Sequence, residues 1–290
     1  MSAGPQTQGG SAVAKGEETI GIVGVGRMGL AMAKHLADRG APLVVCDVNP
    51  EAVESARALG AAPAGNAAEV GRAASFVIVA VGYDEEATAA VLGPQGALAA
   101  MAPGSVLAVS STVAPETVKA IDAAARARDV HVLDAPICRG RWFADRGALL
   151  ALFGGGPEAV ARGRAVYSAF CSDIEALGDV GHGQVAKAIN NLMLWVTSVG
   201  LIEAGRIAES TGVDLPALRD ALMKSSAKSQ ALEDWDQTSF TWALKDMQIV
   251  HRMSDAAGLS LPLTGVIKEL VKEARRVKAT DPPGWTRPSA

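Results

Sequence analysis

"TIGIVGVGRMGLAMAKHLADRG", residues 19–40, decides the fold. It opens as a short apolar run and closes with apolar residues at helical spacing. Gly24, Gly26 and Gly29 stand between the two parts. A strand that turns at once into a helix through GxGxxG begins a strand–helix–strand unit. The same alternation then repeats: "LVVCD" and "PEAVESARALG", "SFVIVAV" and "DEEATAAVL", "SVLAVSS" and "APETVKAIDAAARARD", then "VHVLDAP". The strand-like runs are Val/Ile-rich and continuous, as expected where both faces of a sheet are covered. The pattern predicts an α/β fold, a parallel doubly wound sheet of the Rossmann type. "ALLALFGGG" and "SDIEALG" read as two further strands flanking the helix "PEAVARGRAVYSAF".

After Gly183 the period becomes helical. A long helix is expected from about Gln184 to Ser210, stopped at Gly212, with others over "LPALRDALMKSS", "WALKDMQIVHRMSDAAG" and "PLTGVIKELVKEARRVKA". The expected organisation is a flexible leader over 1–17, a dinucleotide-binding Rossmann domain over 18–181, an all-α domain over 182–278 joined by the long interdomain helix, and a loose tail over 279–290.

The bulk numbers agree with two domains. The chain has 290 residues, 49% hydrophobic and 20% charged, enough to bury a core. A net charge of −4 gives no basic excess for a nucleic-acid partner. Cys46, Cys138 and Cys171 are scattered and form no CxxC, which argues against a disulfide framework or zinc site and fits a reducing, cytoplasmic setting. His35, His131, His182 and His251 are equally scattered, so no metal is assigned. The best uncharged run, Ala188–Ile202, is too short for a bilayer, so no membrane partner is expected.

The glycine turn has a specific reading. The first glycine allows the tight turn, the second lets a pyrophosphate approach the backbone, and the third lets helix and strand pack closely. The phosphates would lie at the helix N-terminus, beside Arg27. Asp47 closes the second strand about 20 residues on, where a carboxylate accepts bonds from the ribose hydroxyls of NAD and repels the 2′-phosphate of NADP. NAD is therefore expected over NADP. Lys187, Asn190 and Asn191 stand at i, i+3 and i+4 of the long helix, a polar patch on an otherwise apolar face.

Taken in order, these motifs resemble the β-hydroxyacid dehydrogenase family, which includes 3-hydroxyisobutyrate dehydrogenase and tartronate semialdehyde reductase. The resemblance rests on "GVGRMGLAMAKHL", "DAPICRG", "GHGQVAKAINN" and "LKDM", with "SSTVAPET" a weaker fifth match, and runs from Thr19 to about residue 275. It implies that Lys187 is the general acid/base and that Asn191 orients substrate and amine. It implies a substrate set of Cys138, Arg139, Gly140, Asn190 and Lys245. The implied cofactor contacts are Gly24, Gly26, Arg27, Met28, Gly29, Asp47, Val48, Asn49, Val81, Gly82 and Thr112, with Lys245 and Asp246. It also implies a homodimer or homotetramer acting on a small hydroxy acid.

The chain departs from the family at one loop. Where relatives read Asp-Ala-Pro-Val-Ser-Gly-Gly, this chain has Cys138 and Arg139. A thiol is a poor donor, and Arg139 could supply a bidentate fork to an anionic substrate group instead. The alternative is that Arg139 turns outward and pairs with an acid such as Asp145. Arg141 and Arg146 read as structural or surface residues, and Cys138 as a small packing residue. The expected activity is reversible hydride transfer between NAD and a short 3-hydroxy acid or its semialdehyde. Other readings are an imine reductase, a dehydrogenase of sulfonates or non-acid alcohols, and a non-catalytic NAD-binding sensor. Lys187 weighs against the first and the last.

Overall fold

A computed structural model describes residues 18–286 of the chain. The leader expected over 1–17 and the last four residues of the expected tail lie outside the described residues. Two compact units are present, residues 1–187 and 188–290.

The first unit is built on a sheet of β1 (Ile20–Val23), β2 (Leu43–Cys46), β3 (Ala62–Pro63), β4 (Phe76–Val79), β5 (Val106–Val109), β6 (His131–Asp134), β7 (Ile137–Cys138), β8 (Leu149–Gly155) and β9 (Cys171–Ala176). The helices between them are α1 (Arg27–Asp38), α2 (Pro50–Arg57), α3 (Ala67–Ala73), α4 (Asp84–Leu92), α5 (Pro115–Arg126), α6 (Gly140–Asp145) and α7 (Pro157–Tyr167). Strands β3-β2-β1-β4-β5-β6 run parallel, and their order reverses direction between β1 and β4. The parallel expectation fails beyond β6. There β8 is antiparallel to both β6 and β7, and β9 returns parallel to β8. Only Ala135 and Pro136 separate β6 from β7, and the α6 turn back to β8 is short, whereas a parallel pair needs a longer crossover. The helix α7 supplies that crossover between β8 and β9.

The strands separate by period two into two cores. Ile20, Ile22, Phe76, Ile78 and Val106 join Met32, Phe153 and Tyr167 on one face. Val23, Val77, Val79, Leu107 and Val109 join Val118 and Ile121 on the other. This is why the strands read as unbroken apolar runs rather than alternating ones. The register also aligns the strand ends: Val23 lies opposite Cys46 and Val79, Val79 opposite Val109, and Val109 opposite Asp134. Whatever follows each of these residues emerges on one edge, at the C-terminal ends of the parallel strands.

The chain then enters α8 (His182–Thr211), a helix of 30 residues that carries the division between the units. Gly212 closes it at φ +74°, with Val213 N–H donating to the Ala208 carbonyl. The helix is longer than its uncharged run because it continues past Lys187 and Glu203. By length and composition alone it could cross a bilayer, but in the second unit its Ala188, Trp195 and Val199 are core residues.

The second unit adds α9 (Leu215–Leu222), the short and unexpected α10 (Gln230–Glu233), α11 (Ala243–Ala256) and α12 (Pro262–Thr280). Trp195, Phe240, Met247, Ile267 and Val271 form one core, and Leu201, Leu232, Trp235 and Trp285 a second. The loose tail expected from residue 279 is thereby corrected. Trp285 is fully buried, and its Nε1 donates to the Leu201 carbonyl at 3.0 Å. Trp235 Nε1 donates to the Pro283 carbonyl at 3.1 Å. The prolines after α12 stop the helix, and the indole behind them has a large apolar area to bury.

Candidate active site

The turn from β1 to α1 assigns each glycine a separate physical task. Gly24 lies at φ +91°, and a Cβ there would come within 2.7 Å of the Ala80 carbonyl oxygen. A Cβ at Gly29 would stand 2.0 Å from the Gly24 carbonyl oxygen, so helix and strand approach only because it is absent. Gly26 differs. Its φ is −62° and its missing Cβ would meet open space. The fold does not require a glycine there, and its absent side chain leaves the backbone open to a group approaching from outside. No side chain caps α1, its first turn holds no acid, and Arg27 is exposed. Amide groups at an uncapped helix N-terminus favour an anion, so the cradle fits a dinucleotide pyrophosphate.

Asp47 follows β2 on the same edge. Its Oδ2 accepts from Val25 N–H at 2.7 Å and its Oδ1 from Asn49 N–H at 2.8 Å. A carboxylate offers about four acceptor sites, so two bonds fix its orientation and leave capacity for ribose hydroxyls. Beside it Val48 is a fully exposed valine, an apolar surface of the kind a base can cover. Asn49 is otherwise occupied as the N-cap of α2, accepting from Glu51 N–H. Met28 is half-buried and packs against the core below the turn.

The loops after β4 and β5 are joined. Val81 N–H donates to Ser111 Oγ at 2.8 Å, and Gly82 N–H to Glu86. Half-buried Thr112 follows Ser111. Gln184, in the first turn of α8, then holds this loop with both amide atoms. Its Oε1 accepts from Val113 N–H at 3.1 Å and its Nε2 donates to the Ser111 carbonyl at 3.0 Å. Asp134, the last residue of β6, is fully buried. Its Oδ2 accepts from the N–H groups of Gly181 and Gln184, each at 3.0 Å, while Oδ1 has no partner. Burial pushes its carboxyl up to about 6 even though these bonds pull the other way. Gly183 permits the close approach: a Cβ there would lie 2.5 Å from the Leu152 carbonyl oxygen and 2.9 Å from Asp134 Oδ2. Sequence reasoning passed over Asp134, Ser111 and Gln184. The signal available was a carboxylate ending an apolar strand and a glutamine in the first turn of an apolar helix.

One consequence is that Lys187, one turn further along α8, is presented to the loop after β6. Its Nζ donates to Cys138 Sγ at 3.7 Å. Cys138 is buried on β7 opposite Leu150. Cys46 and Cys171 are also free, and burial raises their thiols to about 11 and about 12.

Arg139 goes to the outward alternative, with a different acid from the one expected. Its Nη1 contacts Asp173 Oδ2 at 2.6 Å, Ser172 Oγ at 2.9 Å and the Ala148 carbonyl at 3.1 Å. Asp145 instead faces Arg141. The structure does not aim this guanidinium as the expected anionic fork, because Asp173 already pairs with it; the Ser172 hydroxyl and then Arg139 hold that carboxyl below its usual range. Gly140 is exposed at φ +72°.

The remaining candidates belong to the helical unit. Asn191 is buried and accepts from Asn190 Nδ2 at 3.0 Å. Lys245 is half-buried, with its ammonium 5.5 Å from the Trp242 ring centre. Asp246 is buried and accepts from Trp195 Nε1 at 3.0 Å. One of its carboxylate oxygens thus serves the core around Trp195. Among the described residues no group of His, Cys, Asp and Glu is arranged to hold a metal ion.

Comparison with known proteins agrees with this geometry. Residues 19–178 match the NAD-binding domain of 6-phosphogluconate dehydrogenase, and residues 181–282 match the NAD-binding family of NADP-dependent 3-hydroxyisobutyrate dehydrogenase. The chain is 35% identical over 214 residues to an NAD-dependent L-serine dehydrogenase of Pseudomonas aeruginosa, covering 74% of this chain and 72% of that protein. The structure of 3-hydroxyisobutyrate dehydrogenase from Mycobacterium tuberculosis with L-serine superposes with a TM-score of 0.80 at 26% identity, covering 92% of this chain and 95% of that one. Psf3 in complex with NADP+ and 2-OPP gives a TM-score of 0.80 at 26% identity, covering 89% and 94%, so relatives of this shape bind either nucleotide. A glycine turn after the first strand, a carboxylate following the second and matches along almost the whole described chain lead to one conclusion: the chain belongs to the NAD-binding β-hydroxyacid dehydrogenase family, of the 3-hydroxyisobutyrate dehydrogenase type.

Proposed function

We propose that the chain catalyses reversible hydride transfer between NAD and a short 3-hydroxy acid or its semialdehyde, with Lys187 as general acid/base. The observation that carries the reading is the meeting of Lys187 Nζ with Cys138 on the loop after β6, 3.7 Å apart. An amine held there can accept the proton of a substrate hydroxyl as the carbon beneath it is oxidised. The nicotinamide, when bound, supplies the hydride acceptor. Gly24, Gly26, Arg27 and Gly29 hold the pyrophosphate, Asp47 the ribose, Val48 the base, and Val81, Gly82 and Thr112 the nicotinamide side. Asp47 favours NAD over NADP because no cation follows it to hold a 2′-phosphate. By the family resemblance Asn191 would orient the substrate, and Asn190, Gly140 and Lys245 would be further substrate contacts.

The names of the relatives extend the candidate substrates to L-serine and 3-hydroxyisobutyrate. With Arg139 paired to Asp173, a strongly anionic sulfonate loses the one feature that favoured it. A homo-oligomer is supported by Ile189, Met193, Ile207 and Val266, large apolar side chains more than half exposed in the helical unit. The three free thiols fit a reducing, cytoplasmic setting, and the net charge of −4 offers no basic surface for a nucleic acid.

The test is steady-state NAD reduction with L-serine, 3-hydroxyisobutyrate, glycerate, 3-hydroxypropionate, a dihydroxypropane sulfonate and a neutral alcohol. One short hydroxy acid turns over, and Lys187→Ala lowers its kcat by about 10²–10⁴-fold, the usual contribution of a positioned acid/base. Consumption of NADPH with a cyclic imine and none with hydroxy acids would give the site to imine reduction. NAD binding without turnover of any compound would make the chain a sensor.

A further inference from the structure

Lys187 has a four-carbon stem and a charge that can point in many directions, yet the parts around it are fixed. Its own helix is held at the first turn by Asp134 and Gln184. Its partner sulfur is fixed on both sides: Cys138 pairs with Leu150 in the sheet, and Arg139 is bound to Asp173, Ser172 and Ala148. Arg139 lies at φ +83°, a left-handed conformation that disfavours a side chain. These three contacts hold it there and leave Cys138 buried against the amine.

We infer that Cys138 is a positioning residue for Lys187, its sulfur accepting a hydrogen bond from the ammonium and setting the rotamer in which the amine meets the substrate hydroxyl. This rests on the reading of Lys187 as general acid/base and goes beyond it. A sulfur is a weak acceptor, and a charged donor makes a stronger bond than a neutral one. The contact therefore fixes the direction of the amine rather than the position of the substrate. A group that acts in this way changes turnover more than substrate affinity. It also gives the thiol a task other than packing.

Three variants and two readouts test it. Cys138→Ala lowers kcat by about fivefold with KM changed less than twofold, and Cys138→Ser recovers most of the lost kcat because a hydroxyl also accepts. Thermal melting with NAD present confirms that each variant is folded. The second readout needs no turnover. Lys187 is modified with trinitrobenzenesulfonate and the peptide carrying it is followed by mass spectrometry; Cys138→Ala labels about threefold faster, because its amine is no longer held. If Cys138→Ala raises KM and leaves kcat alone, the residue contacts substrate directly and the inference is overturned. If the labelling rate is unchanged, the contact does not exist in solution. Should labelling change while Lys187→Ala keeps full turnover, the contact stands and the acid/base reading fails. Should Lys187→Ala be inactive while Cys138→Ala matches the parent in both readouts, the acid/base reading stands and this inference fails.

Discussion

Two turns leave the same sheet and enter a helix, and they solve one steric problem in opposite ways. Between β1 and α1 a positive φ is taken by Gly24, which has no side chain to strain. Between β7 and α6 it is taken by Arg139, held by an ion pair and a carbonyl. The first turn is stripped down so that a ligand common to many enzymes can approach its backbone. The second carries a thiol and a guanidinium, and it shapes the ground beside Lys187. The difference teaches that the generic half of the site is made by removing atoms and the individual half by adding them.

The strongest way to break the comparison is to add an atom where none is tolerated. Gly29→Ala places a Cβ 2.0 Å from the Gly24 carbonyl oxygen. It destabilises the sheet unit by about 3 kcal/mol, the upper part of the overpacking range, and weakens NAD binding by at least about 100-fold. Chemical denaturation and titration calorimetry measure both. Unchanged affinity would mean that the glycine turn does not position the pyrophosphate.

The base of the second turn gives the next largest effect, and it depends on pH. The folded protein holds a proton on Asp134 up to about 6, against 3.8 for an unstrained aspartate. Because folding raises this value, the contribution is fully present below 3.8 and is lost as the pH rises through about 6. The linkage amounts to at most about 3 kcal/mol. Asp134→Asn removes the titration, so its stability measured against the parent rises between pH 4 and pH 6.5. Parallel stability curves for the two proteins across that window would show that burial of Asp134 is not felt.

The smallest effect sharpens the comparison most directly. Arg139→Gly and Arg139→Ala both lose the pair with Asp173, which is partly exposed and contributes about 1 kcal/mol or less. Only the alanine keeps the left-handed strain, roughly 1–2 kcal/mol for a residue with a Cβ. Arg139→Gly is therefore the more stable of the two by about 1 kcal/mol in urea denaturation. Equal stabilities would mean that the loop relaxes out of the left-handed conformation once the arginine is gone.

Much of the sheet unit was legible because short-range rules govern it. Continuous Val/Ile runs, turn glycines and the carboxylate at Asp47 each announce themselves within a few residues. The antiparallel return of β8 was not legible, since nothing local marks which segment the two-residue strand β7 will pair with. Asp134 and Gln184 were missed for the same reason. Their bonds to each other and to Ser111 and Val113 span 50 to 73 residues. Asp246 was singled out from its motif alone, and its bond to the Trp195 indole, 51 residues away, had no local mark either. The end of the chain misled: proline and glycine suggested a loose segment, and the single tryptophan among them outweighed both.

That tryptophan bears on the timing of synthesis. The sheet unit ends at residue 187, but the second core of the helical unit contains Trp285, bonded to a carbonyl 84 residues earlier. At the usual pace of a ribosome, about 5–20 residues per second, roughly 5–20 s pass between the completion of one unit and the arrival of the last piece of the other. A nascent chain therefore carries a finished nucleotide cradle while the helices that follow it still await their closing wedge.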